Sequence, residues 1–373
     1  VRAAPLAEIP PGGAIPALDG LRALSILVVM VAHAGLGHIV PGGLGVTLFF
    51  GISGFIITRL LLAEHAARGR IALGAFYLRR VLRLLPALLL YAALVVAVLA
   101  RLGAPPSWAE LVSALFYGAN YWALWIGYPA AEGLAPHPFS ILWSLAVEEH
   151  FYLVFPLLLG AVLRRRAFVP VIVLGVALSL GWRLVIHAAC QDGGSLALCT
   201  ADPAQRIYMA TDTRLDAILY GCLLAWACRG PIPRWLAHPA VLALALAVLL
   251  GSLVWREPGF RDTWRYAVQS LAIAAGMGSL LAAPALGWLR RGLSLAPLLL
   301  IGRMAYVLYL FHWLAVGLAC RWTGIAMRDG LYPPAWYAVF LTLTLVPSLA
   351  VHFGVERPLL GLRHRFRRVA PRA

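Results

Sequence analysis

Lysine is absent from this 373-residue chain, and all 31 of its basic side chains are arginine. Acidic residues number 15, and charged residues of both signs make up only 12% of the sequence. A soluble domain carries roughly twice that share, so too little charge remains to coat a water-facing globule. No polar stretch is long enough to form a separate soluble domain. Cysteine is scarce at five residues, and no Cys/His spacing matches a structural zinc site. The opening residues 1–21, rich in Pro and Gly, lack the apolar core and small-residue cleavage site of a secretory signal. The first apolar run is therefore expected to be retained as a helix.

What the chain does hold is apolar sequence: 62% of residues are hydrophobic and the mean hydropathy is +0.84. Apolar runs of ~20 residues, the length that crosses a bilayer, recur along almost its whole length. Only helices or closed barrels satisfy the backbone there, and runs of this length predict an all-α, polytopic integral membrane bundle of about ten transmembrane helices. The expected spans are 21–40, 44–62, 84–102, 141–163, 168–187, 215–228, 236–255, 266–283, 298–320 and 336–353. The formal charge of +16 raises nucleic-acid binding, but the arginines fall between apolar runs instead of forming one stripe. That distribution follows the positive-inside rule. Ten spans with both termini cytoplasmic put most arginines inside, among them Arg164, Arg165 and Arg166. The stretch 111–126 is broken by Gly118 and Asn120 and followed by Gly127, Pro129 and Pro136, so it reads as a partial or re-entrant helix. An eleventh full span stays open. Cys190 and Cys199 flank a polar loop expected outside, where a disulfide persists if formed, and two free thiols fit equally well. Cys222, Cys228 and Cys320 read as span residues.

An ionisable group within a span costs at least ~2.5 kcal/mol, so each demands a reason. The first run, LDGLRALSILVVMVAHAG, spaces Asp19 and Arg22 for an i,i+3 pair. His33 falls on nearly the same face as Arg22, ~16 Å along the axis and near mid-span. A neutral imidazole there suits general-base work; packing explains His33 and snorkelling explains Arg22 as alternatives. The second run, GGLGVTLFFGISGFIIT, offers glycines and Ser53 as a small-residue face, for helix packing or for a ligand. In RGRIALGAFYLRRVLRLLP, Arg79, Arg80 and Arg83 suit an interfacial helix on anionic lipid, or phosphates of a cytoplasmic ligand. SILWSLAVEEHFYLVFP sets Glu148 and Glu149 in an apolar run, with Ser144 and Tyr152 one turn either side of Glu148. Two adjacent carboxylates cannot both face lipid; Glu148 could orient a histidine, bind an acceptor hydroxyl or pair with a buried arginine. TDTRLDAILYG places Arg214 and Asp216 at a span end, and GRMAYVLYLFHWL places Tyr306, Tyr309 and His312 in another. Glu356 and Arg357, in VERPL, read as a terminal anchor.

Together these segments resemble the acyltransferase family 3 membrane proteins, which transfer acyl groups to hydroxyls of sugars and related molecules. The matching pieces are LDGLRALSILVVMVAH, GVTLFFGISGFIIT, LRRVLRLLP, WSLAVEEHFYLVFP, TRLDAILYG, AYVLYLFH and VERP. They stand in the family's order from Asp19 to Pro358. The resemblance implies His33 as the motif histidine with Arg22 as its partner, Asp19 and Glu148 completing the catalytic set. It implies an acyl-coenzyme A donor, acetyl-coenzyme A first among them, met from the cytoplasm by Arg79, Arg80 and Arg83. Ser53, Glu149, Tyr152, Arg214, Tyr309 and His312 are then expected on the substrate. No metal or permanently bound cofactor is implied, and no nucleic acid. The acceptor is expected to be a sugar, cell-surface glycan or glycosylated natural product, and the site of action a bacterial inner membrane. The chain resembles the stand-alone form: one membrane domain over 1–373, its spans between about 19 and 358, with 359–373 as a basic cytoplasmic tail. The rival reading is a secondary transporter or flippase with His, Glu and Arg as a proton relay. That class favours internal repeats, and no convincing duplication relates the two halves.

Overall fold

A computed structural model of the chain describes residues 6–10, 13–129, 134, 136–190, 199–200, 202–359 and 361. The expected basic tail therefore lies almost wholly outside the described residues. All regular structure among the described residues is helical. In chain order the α-helices are α1 (Pro16–Val31), α2 (Gly42–Arg68), α3 (Leu73–Arg101), α4 (Trp108–Leu115), α5 (Ala119–Trp125), α6 (Trp143–Arg164) and α7 (Phe168–Cys190). They continue as α8 (Pro203–Met209), α9 (Thr211–Ala227), α10 (Pro239–Val254), α11 (Arg265–Ala282), α12 (Gly287–Leu293), α13 (Ala296–Thr323) and α14 (Pro334–Val351).

Each of the ten expected spans falls on a helix. Seven helical segments are long and apolar enough to cross a membrane, and an eighth results if α11 and α12, bent by 88° at their junction, count as one. The remaining two, α9 and α10, have 17 and 16 residues. The 111–126 stretch forms the short helices α4 and α5, and neither approaches the ~20 residues of a span. A capping box between Ser107 and Glu110 starts α4, and Tyr117, at φ +58°, separates it from α5. The third span begins earlier than expected. Arginine and leucine are both strong helix formers, so α3 runs back to Leu73 and carries Arg79, Arg80 and Arg83 on its first turns.

The chain packs as two compact units. The first comprises Val1–Val29, Pro41–Ile71 and Trp143–Arg303, the second Met30–Val40, Ala72–Leu142 and Met304–Ala373. The heart of the first is α2 against α9. A Cβ at Gly54 would strike the carbonyl of Ile218, and one at Gly221 the carbonyl of Gly51. Such backbone proximity is what associates helices when lipid removes the hydrophobic drive. Around it pack Leu18, Ile52, Phe55, Leu224, Met277 and Leu280. Leu174 and Leu178 of α7, and Leu244 and Leu250 of α10, are more than half exposed, which suits contact with acyl chains and not with water.

In the second unit, Tyr91 of α3 is fully buried and stands edge-on to Phe139 and Phe311. Buried hydroxyls need acceptors, and here three tyrosines find backbone carbonyls. Tyr91 donates to Pro138 at 2.7 Å, Tyr306 to Leu84 at 3.0 Å and Tyr309 to Ile141 at 3.1 Å. Trp336, also fully buried, stacks between Tyr332 and Phe340.

Candidate active site

The second unit holds both intramembrane histidines singled out by sequence. At Ala32 the first span passes into a π-helical turn, Ala32–Leu36, in which Gly35 takes φ +94°. That left-handed conformation belongs to glycine. A side chain there would also meet the Gly330 carbonyl, while the Gly330 N–H donates to the Gly35 carbonyl at 2.7 Å. The turn sets His33 three residues before the end of the helical segment Pro16–Leu36, not near its middle. The sequence boundary was drawn too far along because apolar residues continue past the turn.

His33 Nδ1 lies 3.0 Å from His312 Nε2, with the two rings nearly parallel. His312 is fully buried. Its Nδ1 faces two carbonyls of its own helix, Tyr309 at 2.8 Å and Leu308 at 3.2 Å. The indole of Trp313 packs on the His33 ring at 4.3 Å between centroids. It is anchored in turn by donating from Nε1 to Ser140 Oγ at 2.9 Å and to the His137 carbonyl at 3.2 Å. Just before the α6 segment, His137 stacks on Tyr128 and places Nε2 3.7 Å from the Glu110 carboxylate. Burial lowers the His137 imidazole to about 4, although Glu110 pulls the other way, and burial also raises the Tyr128 hydroxyl. On α3, Arg79 is exposed and Arg80 and Arg83 partly so, with Arg80 over the Phe76 ring at 5.8 Å.

In the first unit, Asp19 is shared by two guanidinium groups, Arg22 at 3.6 Å and Arg303 of α13 at 3.8 Å. Its position in the first turn of α1 also suits the helix dipole. The Arg22 guanidinium sits 5.9 Å from the centre of the Phe49 ring. Glu148 accepts at one oxygen from both Ser53 Oγ and, at 3.2 Å, Tyr152 Oη. Glu149, beside it, is partly exposed. Arg214, fully buried, donates to Thr47 Oγ1 at 2.9 Å and lies 4.2 Å over Tyr266 and 5.4 Å over Tyr208. Next to it Arg183 donates to Asp216 and to the Thr213 carbonyl, each at 2.6 Å. Cys190 and Cys199 are joined in a disulfide.

The structure thus brings together Asp19 with Arg22, Ser53 and Tyr152 with Glu148, and His33 with His312, whose ring also neighbours Tyr309. Arg214 belongs to a separate aromatic cluster. Sequence reasoning missed Trp313, Arg303, Glu110 and His137. Only the Ser107–Glu110 capping signature was there to be read. No group of three or more His, Cys, Asp or Glu that could hold a metal occurs among the described residues.

The helices read as a polytopic membrane bundle, a class of membrane protein to which comparison gives a family. The acyltransferase domain of family 3 matches residues 15–353, and the chain belongs to this family. The O-acetyltransferase OatA of Staphylococcus aureus strain NCTC 8325 / PS 47 is 32% identical over 367 residues, covering 92% of this chain and 57% of that protein. A putative O-acetyltransferase of S. aureus strain COL is 29% identical over 363 residues, with the same coverage. The chain therefore spans little more than half the length of these curated relatives. No solved structure matches it.

Proposed function

We propose that this chain is a membrane O-acyltransferase that moves an acyl group, acetyl first among them, from acyl-coenzyme A to a hydroxyl of a glycan or glycosylated acceptor. The observation that carries the reading is the His33–His312 contact at the motif histidine of an acyltransferase family 3 chain. In the reaction the acceptor O–H bond breaks as its proton passes to His33. The oxygen bonds to the thioester carbonyl carbon, the C–S bond breaks, and the thiolate leaves with the proton returned by the imidazolium. Arg22, tied to Asp19, is assigned to holding the donor. Glu148, with Ser53 and Tyr152, is assigned to the acceptor, as are Glu149, Arg214 and Tyr309. Arg79, Arg80 and Arg83 on the first turns of α3 suit the phosphates of coenzyme A, which arginine forks grip bidentately. The chain is assigned to a bacterial inner membrane, and the arginine distribution supports an orientation with both termini cytoplasmic.

The test is purified protein in lipid nanodiscs with labelled acetyl-coenzyme A, read as thiol release and as label transferred to a membrane glycan extract. Transfer that disappears in a folded His33→Ala variant is the expected result. Full transfer by that variant removes His33 as the base, and the absence of both thiol release and transferred label with the wild type sinks the reading. A protein that only carries solute would give neither.

A further inference from the structure

We propose that His312 is a positioning residue that fixes the proton of His33 on Nδ1, so that Nε2 of His33 is the atom that accepts the acceptor's proton. The inference rests on the acyltransferase reading and deepens it. It replaces a substrate-binding role for His312 with one exerted through its neighbour.

The assignment follows from which atoms can only accept. His312 Nδ1 faces the carbonyl oxygens of Tyr309 and Leu308, and a carbonyl has no proton to give, so Nδ1 of His312 must carry one. With the ring neutral, His312 Nε2 is then a bare lone pair. The atom 3.0 Å away, His33 Nδ1, must therefore be the donor in that contact. A neutral His33 protonated on Nδ1 leaves Nε2 basic, and no protein partner holds that nitrogen among the described residues. His312 cannot itself be the base, because both its nitrogens are engaged and its side chain is fully buried.

Three features keep this arrangement from relaxing. The Nδ1 bonds of His312 run back to residues three and four positions earlier on α13, so the ring is locked to its own helix. Trp313 covers the His33 ring and is itself fixed by two hydrogen bonds from Nε1, which opposes a ring flip that would put Cδ2 of His33, and no longer Nδ1, against His312. Gly35 and Gly330 pin the turn that carries His33. When His33 takes the acceptor's proton at Nε2, its Nδ1–H points at the His312 lone pair, which stabilises the imidazolium until the proton passes to the leaving thiolate. The logic is that of an oriented histidine in a hydrolytic triad, with a neutral imidazole in place of the carboxylate.

The direct measurement is a nitrogen-15 spectrum of the full chain, histidine-labelled and in nanodiscs without substrate, with the His33 signals assigned by their loss in His33→Gln. The expected result is a protonated, pyrrole-like Nδ1 and an unprotonated, pyridine-like Nε2 for His33. His312→Gln can still present an amide oxygen to His33 and should keep that pattern, whereas His312→Leu should lose it. Thiol release from acetyl-coenzyme A is then expected to drop about 10²–10⁴-fold in kcat for His312→Leu with KM little changed, and to recover to within about tenfold in His312→Gln. A wild-type His33 protonated on Nε2, or a His312→Leu variant with wild-type kcat, overturns the inference. If the wild type releases no thiol from acetyl-coenzyme A, the donor assignment fails, and the spectrum still decides the tautomer.

Discussion

Asp19 and Gly302 meet backbone against backbone: the Asp19 carbonyl occupies the place that a Cβ on residue 302 would need. The glycine lets α13 approach α1 closely enough for Arg303 to reach the Asp19 carboxylate. Gly302→Val is expected to push the helices apart, cost about 1–3 kcal/mol through overpacking, and reduce acetyl transfer along with stability. Gly292, which has open space around it, provides the control: Gly292→Ala should leave both unchanged. Thermal unfolding and thiol release measured on the same preparations check the pair.

Arg183 and Asp216 are both fully buried and joined at 2.6 Å. Removing one partner strands the other charge, so Asp216→Leu alone should cost about 3–5 kcal/mol, while Arg183→Met with Asp216→Leu should recover much of that loss. A double variant no more stable than the single one would contradict this account. Unfolding midpoints in one detergent decide it.

His137 lies outside the spans, and burial holds its imidazole down to about 4 from 6.5. A base with a depressed folded value favours the neutral form. Its stabilising contribution is fully present above 6.5 and is lost as pH falls toward 4, because the unfolded chain takes up the proton first. Wild-type protein should therefore lose more stability on acidification over that window than His137→Gln does. Parallel unfolding-versus-pH curves for the two would count against it.

The disulfide joins Cys190 to Cys199, nine positions along the chain, a separation for which chain entropy gives about 2–3 kcal/mol. Reductant should lower the unfolding temperature, and Cys190→Ser with Cys199→Ser should abolish that response. In right-side-out vesicles, an impermeant maleimide should label the reduced pair from outside. Labelling confined to inverted vesicles would reverse the proposed orientation.

The length of the apolar runs made the helices legible, since ~20 such residues in a row have few other fates. Their ends were less so: α3 starts eleven residues before the expected boundary because arginine-rich sequence is also good helix. Charged and polar residues in apolar runs were conspicuous singly, which is how Glu148, His33 and His312 came forward. Their partners were not. His33 and His312 are 279 positions apart and Ser53 and Glu148 are 95 apart, separations to which no local pattern is sensitive. Trp313, next to His312 in the sequence, carried no signal of its own, and its indole contacts distinguish it. Glu356, expected as a terminal anchor, bonds His352 one turn earlier, a contact that its i,i+4 spacing allowed.

The glycine-mediated fit of α2 to α9 bears on how the protein is made. Gly54 and its neighbour Cys222 are 168 residues apart, and at ~5–20 residues per second a ribosome needs roughly 8–34 s to cover that distance. Throughout that interval the newly inserted α2 shows lipid a notch, with Thr47 and Ser53 nearby, that nothing yet fills. Quality-control proteases of the bilayer have their best opportunity then, and a nascent chain stalled before α9 emerges is the form they should remove.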